Sequence, residues 1–178
     1  PDGYGGIWAV GYTLSTDFPV TEGAYQNTFR GGTDAIICHF SSTGSLLYST
    51  YLGGSYSEDG WDLTSDGSGG VWIVGETSST DFPVTEGAYQ TIARGTGDAF
   101  VSHISSTGSL LSSTYLGGSY WDKGYATASD DSGGVWIGGW TESTNFPVLN
   151  AYQGTYGYGS GDAFITHFSS AGSLLSSS

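Results

Sequence analysis

The sequence predicts an all-β chain, a tandem array of four-stranded antiparallel units, and three observations carry that reading. A 64-residue period runs through the 178 residues. Each period holds four short runs rich in β-branched and aromatic residues, separated by turns that contain Gly and Asp. No stretch keeps a helical period; only Thr85-Glu86-Gly87-Ala88 could form a single helical turn, with Thr85 as its N-cap.

The period is seen in residues that recur at a fixed offset of 64. Asp17-Phe18-Pro19 returns as Asp81-Phe82-Pro83 and as Asn145-Phe146-Pro147. Trp8, Trp72 and Trp136 each follow a Gly and an aliphatic residue, and Asp34, Asp98 and Asp162 are each followed by Ala. The eleven residues from Thr16 to Gln26 reappear unchanged from Thr80 to Gln90. In the third copy one residue is lost between Pro147 and Tyr152 and one is gained between Gln153 and Asp162. The phase is restored at Asp162, so the variation sits in a loop, where length changes cost little.

In the second copy the strands are expected at 60–65, 70–77, 98–105 and 109–116. Asp66-Gly67-Ser68-Gly69 and Ser106-Thr107-Gly108 supply the tight turns, and a long loop through Phe82-Pro83 joins the middle pair. Val71-Trp72-Ile73-Val74 and Ala99-Phe100-Val101 are apolar at consecutive positions. Strands covered on both faces read this way, whereas an open antiparallel sheet would alternate. Units sandwiched between neighbours therefore favour a β-propeller-type array of about three incomplete blades. The expected division is a partial blade at 1–59, a full blade at 60–123 and a partial blade at 124–178, all in one array. Three full copies would need three times 64 residues, and the chain falls 14 short, in the phase of Tyr115 to Ala128. The expectation is a segment of a longer polypeptide, its natural N-terminus upstream of Pro1, or an array completed by other copies.

Read together, Ser49-Thr50-Tyr51-Leu52-Gly53-Gly54-Ser55, Gly70-Val71-Trp72-Ile73-Val74-Gly75, the Thr80 to Gln90 segment and Gly97-Asp98-Ala99-Phe100 resemble the SBBP-type β-propeller repeat. The resemblance spans essentially the whole chain. It implies a propeller fold, an extracellular or cell-surface setting in a prokaryote, and a structural, adhesive or binding role with no catalytic residues to carry over. Two positions depart from the pattern: Trp8, Trp72 and Trp136 stand where a smaller aromatic is expected, and His39, His103 and His167 where Lys is expected.

Composition narrows the partners. Three Lys and Arg against 17 Asp and Glu give a net charge of −14, which argues against nucleic acid and anionic membranes. The lone Cys38 excludes an internal disulfide, and no apolar run is long enough for a transmembrane helix. A zinc site built from the three repeated histidines would need them all within about 2.1 Å of one ion. Equivalent positions on neighbouring units sit roughly 10 Å apart, so a packing or hydrogen-bonding role is expected instead.

The residues Ser129 to Trp136 fit the Asp-box pattern of sialidase-type propellers, but Gly3 and Gly67 replace the central Asp131 in the other copies, so a hairpin turn is expected. Asp59, Asp130 and Asp131 are weak calcium candidates without EF-hand spacing; otherwise no cofactor is expected. Asp34, Asp98 and Asp162 are expected to close turns onto backbone N–H groups, with Arg30 and Arg94 four residues upstream of the first two and Tyr158 in that place in the third. The less regular aromatics Trp61, Trp121 and Trp140, with Tyr56 and Tyr120, are the candidates for stacking on sugar rings, although core packing competes. Glycosidase chemistry needs a pair of carboxylates, and nothing singles one out. The expected function is thus a non-catalytic structural or adhesive segment that binds copies of itself or other surface proteins. A carbohydrate-binding propeller is the alternative, and a glycoside hydrolase the third.

Overall fold

The computed structural model describes residues 2–157 and 159–178. The regular elements among the described residues are all strands, joined by turns and loops: β1 (Ile7–Thr13), β2 (Asp34–Phe40), β3 (Leu46–Leu52), β4 (Glu58–Ser65), β5 (Val71–Thr77), β6 (Asp98–Ile104), β7 (Leu110–Leu116), β8 (Asp122–Ser129), β9 (Val135–Thr141), β10 (Asp162–Phe168) and β11 (Leu174–Ser177). They form three antiparallel sheets ordered β1-β2-β3, β4-β5-β6-β7 and β8-β9-β10-β11. The expected strands of the second copy fall within two residues of those observed. The first strands of the second and third sheets, β4 and β8, start at Glu58 and Asp122, two residues ahead of the expected unit boundaries. The Glu58 and Asp122 amides donate to the carbonyls of Thr33 and Gly97 in the preceding sheet, both at 2.9 Å, and this fixes each strand's start.

The segment at Thr85 is a turn, not a helix. The Ala88 amide donates to the Thr85 carbonyl at 3.1 Å, and Gly87 then leaves with φ of 79°. The Thr85 hydroxyl does not cap it either, because it accepts from the Ser113 amide at 3.0 Å.

Alternation along each strand divides the apolar residues between two seams. Val71, Ile73 and Phe100 face the first sheet and pack with Trp8, Ala35, Ile37, Tyr48 and Leu52. Trp72, Val74, Ala99 and Val101 face the third sheet and pack with Val135, Ile137, Phe164 and Phe168. Every residue of β5 and β6 is buried, as a doubly covered sheet requires.

The two seams are built alike. The Trp8 indole N–H donates to the Gly69 carbonyl at 3.1 Å, and the Trp72 indole N–H to the Gly133 carbonyl at 2.9 Å. The first strand of each following sheet presses a glycine onto the sheet before it. A Cβ on Gly60 would lie 2.5 Å from Val10 Cγ2, and one on Gly124 2.0 Å from Val74 Cγ2. Just after each glycine the pairing slips by one residue, so Trp61 and Tyr125 are bulged out.

Candidate functional site

The residues that recur most regularly are engaged in structural contacts. In each unit an Asp in the turn between the first two strand positions folds its carboxylate back over that turn. Asp66 Oδ1 accepts from the amides of Ser68 at 2.7 Å and Gly70 at 2.9 Å, and Asp130 Oδ1 from those of Ser132 and Gly134, both at 2.8 Å. The other oxygen meets a histidine: Asp2–His39 and Asp66–His103 at 2.8 Å, Asp130–His167 at 2.9 Å. Each imidazole lies flat on the tryptophan opposite it across the strand pair, with ring centroids 4.1 to 4.2 Å apart. The three histidines therefore serve three separate Asp-His-Trp clamps. Burial pushes the Asp66 carboxyl up, but the hydrogen bonds from His103 and Ser68 outweigh it and hold the group below the usual range.

The Asp-box resemblance resolves in the same place. Asp130, not Asp131, turns inward. Asp131 sits at φ of 60°, in the left-handed region that Gly3 and Gly67 occupy at 84° and 79°. Its position thus reflects turn geometry.

A second repeated cluster lies in the seams. Asp34 accepts from the amides of Arg30 and Gly31, both at 3.1 Å, and Asp98 from those of Arg94 at 2.9 Å and Gly95 at 3.2 Å. This is the expected closure of a turn onto backbone N–H groups. Gln26 and Gln90 add a side-chain amide to the same carboxylates at 2.8 Å. Asp162 accepts from the Gly157 amide, while Tyr158, expected to take the place of Arg30 and Arg94 four residues upstream, lies outside the described residues.

The first strand of the following sheet brings a second carboxyl to each buried Asp: Glu58 beside Asp34, and Asp122 beside Asp98. A Cβ on Gly117 would lie 2.6 Å from Asp98 Oδ1 and 2.8 Å from Asp122 Oδ2, and Gly53 is boxed in the same way. Only glycine fits between the paired acids, which accounts for the first glycine of the repeated Leu-Gly-Gly; the second is packed against Ser79 and Asp81, or Ser143 and Asn145. Burial raises all four carboxyls, Asp98 to about 6 with Asp122 as one further cause. Asp122 Oδ1 is buried without a hydrogen-bond partner. Sequence reasoning did not pair Glu58 and Asp122, or Gln26 and Gln90, with the turn-closing acids, nor Asp2, Asp66 and Asp130 with the histidines, although each set shares the 64-residue spacing.

The sugar-stacking candidates do not converge on one cleft. Trp61 is half-exposed in a row with Tyr12 and Tyr125, its ring centroid 6.3 Å from each. Trp121 donates its indole N–H to Glu76 Oε2 at 2.7 Å, under a Lys123 ammonium 5.0 Å from its ring that also pairs with Glu76 at 2.9 Å. Trp140 lies against Gly161 on the third sheet. Tyr56 and Tyr120 are exposed in the loops before β4 and β8, their amides held by the Ser79 and Ser143 hydroxyls. Tyr12 and Tyr125 were not among the candidates. Tyr125 shares its phase with Trp61, but Tyr12 is brought in by tertiary packing alone.

The calcium candidates are also apart. Asp59 lies on β4 and accepts from the Thr33 hydroxyl at 3.2 Å, while Asp130 and Asp131 lie in the turn before β9. Among the described residues no three His, Cys, Asp or Glu side chains are grouped to hold a metal ion. No family model and no curated protein matches this chain.

Proposed function

We propose that the chain is a non-catalytic structural segment of an extracellular or surface β-propeller-type array, with its sheets as consecutive blades of the SBBP kind. The observation that carries this reading is where the repeated polar residues go. Asp, His, Gln and Trp at the 64-residue spacing close turns, clamp strands or join neighbouring sheets, so the repeat encodes stacking. Face-to-face packing of the sheets supports the propeller geometry, as does the contact between β4 and β8, in which the Thr127 amide and hydroxyl donate to Asp62 at 2.7 and 3.0 Å. The test is an assay on a panel of glycans together with thermal unfolding. One cooperative transition and no turnover are expected; hydrolysis abolished by replacing a single carboxylate such as Asp59 or Glu76 would overturn the reading.

Carbohydrate binding is a second reading, favoured by the exposed row Tyr12–Trp61–Tyr125, since aromatic faces stack on apolar sugar faces. The acidic composition points to neutral glycans. On a glycan array, signal lost in Trp61→Ala would support it, and a blank array for the wild type would dismiss it.

A further inference from the structure

The face of the third sheet that points away from the second carries the seam-forming residues without a partner. Trp136 occupies the position of Trp72 but is 39% exposed against 1%, and Ile165 occupies that of Val101 at 57% against 1%. The Trp136 indole N–H has no acceptor among the described residues, whereas its two counterparts reach a glycine carbonyl of the next sheet. Tyr89 packs its ring edge-on against Phe168 of the third sheet, while its counterpart Tyr152 stands fully exposed. An open cavity of about 660 Å³ borders this face, lined in part by Gly138, Val148, Tyr152, Ala163 and Ile165.

What covers this face elsewhere in the chain is the next sheet: the turn before its second strand takes the tryptophan N–H, and its first strand, β4 on the first sheet and β8 on the second, presses a glycine onto Val10 or Val74. We propose that this face docks the first strand of a further repeat of the same type, one that carries an apolar side chain where β4 and β8 carry glycine. The proposal rests on reading the sheets as stacking units. Three features define the occupant. First, Val10 and Val74 project into Gly60 and Gly124, but the third sheet has Gly138 at that position, and nothing lies within 4 Å of where its Cβ would be. The knob is missing, so a side chain from the incoming strand must fill the hole. Second, Thr33 and Gly97 lend their carbonyls to the amide of an acidic residue on the next strand, and Gly161 holds the matching place. The occupant's acid then falls beside Asp162, as Glu58 does beside Asp34. Third, the Trp121 ring of the next strand covers Gly97, but Gly161 is already covered by Trp140 of its own sheet. The occupant therefore has a small residue here, as Ser57 is in the first seam. The pattern is small, acidic, any, apolar, on an extended strand.

The experiment uses the full chain and two fluorescent peptides with the sequence of residues 54–66, one native and one with Gly60→Leu, read by anisotropy at pH 5.5. The Leu peptide is expected to bind about ten-fold or more tighter, from burial of its side chain in the Gly138 hole. Gly138→Leu in the chain fills that hole and should remove the advantage, and Ile165→Asp should weaken both peptides; unchanged melting temperatures confirm that the variants fold. Absence of binding, equal affinity for the two peptides, or binding that survives Gly138→Leu each overturns the proposal. The glycan assays and the cooperativity of unfolding are separate readouts, so the structural reading can stand if docking fails.

Discussion

Replacing Gly124 with Ala tests the seam at its tightest point. The added methyl would sit 2.0 Å from Val74 Cγ2 and 3.3 Å from Val74 Cβ, with the Gly75 carbonyl oxygen at 3.6 Å. Val74 is β-branched and fully buried, so it has no rotamer into which to withdraw. Such overpacking costs about 1–3 kcal/mol. In a chain of this length each kcal/mol lowers the melting temperature by about 2–4 °C, so a fall of roughly 2–12 °C is expected in calorimetry. Val74→Ala alone leaves a void and costs about 2 kcal/mol, from two methyl groups at about 0.8 kcal/mol each plus the cavity. In the double variant the new methyl occupies that void, so the two losses should not add, and a coupling of about 1–2 kcal/mol is expected. Additivity within about 0.5 kcal/mol would refute the knob-and-hole account of the seam.

Gln90→Glu would put a third carboxyl against Asp98 and Asp122 and remove the amide that donates to Asp98, so a loss of about 3–5 kcal/mol is expected at pH 7 in denaturant titrations, shrinking in acid. The Asp98 carboxyl is raised to about 6, so the folded state holds this proton more tightly than the unfolded chain; the stability it lends is complete below about pH 3.8 and is lost as pH rises through about 6. Asp122→Asn removes the charge beside Asp98, and should raise the melting temperature at pH 8 but leave it unchanged at pH 4; an equal effect at both would refute the pairing. Asp66 works in the opposite sense: its lowered carboxyl lends stability above the usual carboxylate range, and Asp66→Asn should reduce stability at neutral pH and do less as the pH falls through the folded-state value. Asp131→Gly matches the left-handed position to the residue its counterparts use and should stabilise by about 1 kcal/mol in thermal melts.

The sequence by itself determined the strands, their period and their turns, because these follow from local chemistry. Side chains alternate across a strand, glycine opens the left-handed region at Gly3 and Gly67, and apolar runs such as Val71 to Val74 announce cover on both faces. Asp34 and Asp98 were legible as turn-closing acids for the same reason, since their amide partners lie three and four residues upstream. Only the tertiary structure decided what crosses a seam. Nothing local sets Glu58 beside Asp34, Trp121 on Glu76, or Trp61 between Tyr12 and Tyr125, because each pair joins segments from different units and depends on how two sheets are offset. Gly138 shows the difference most plainly: in the chain it is one glycine among 31, and only the neighbouring seams reveal it as an absent knob.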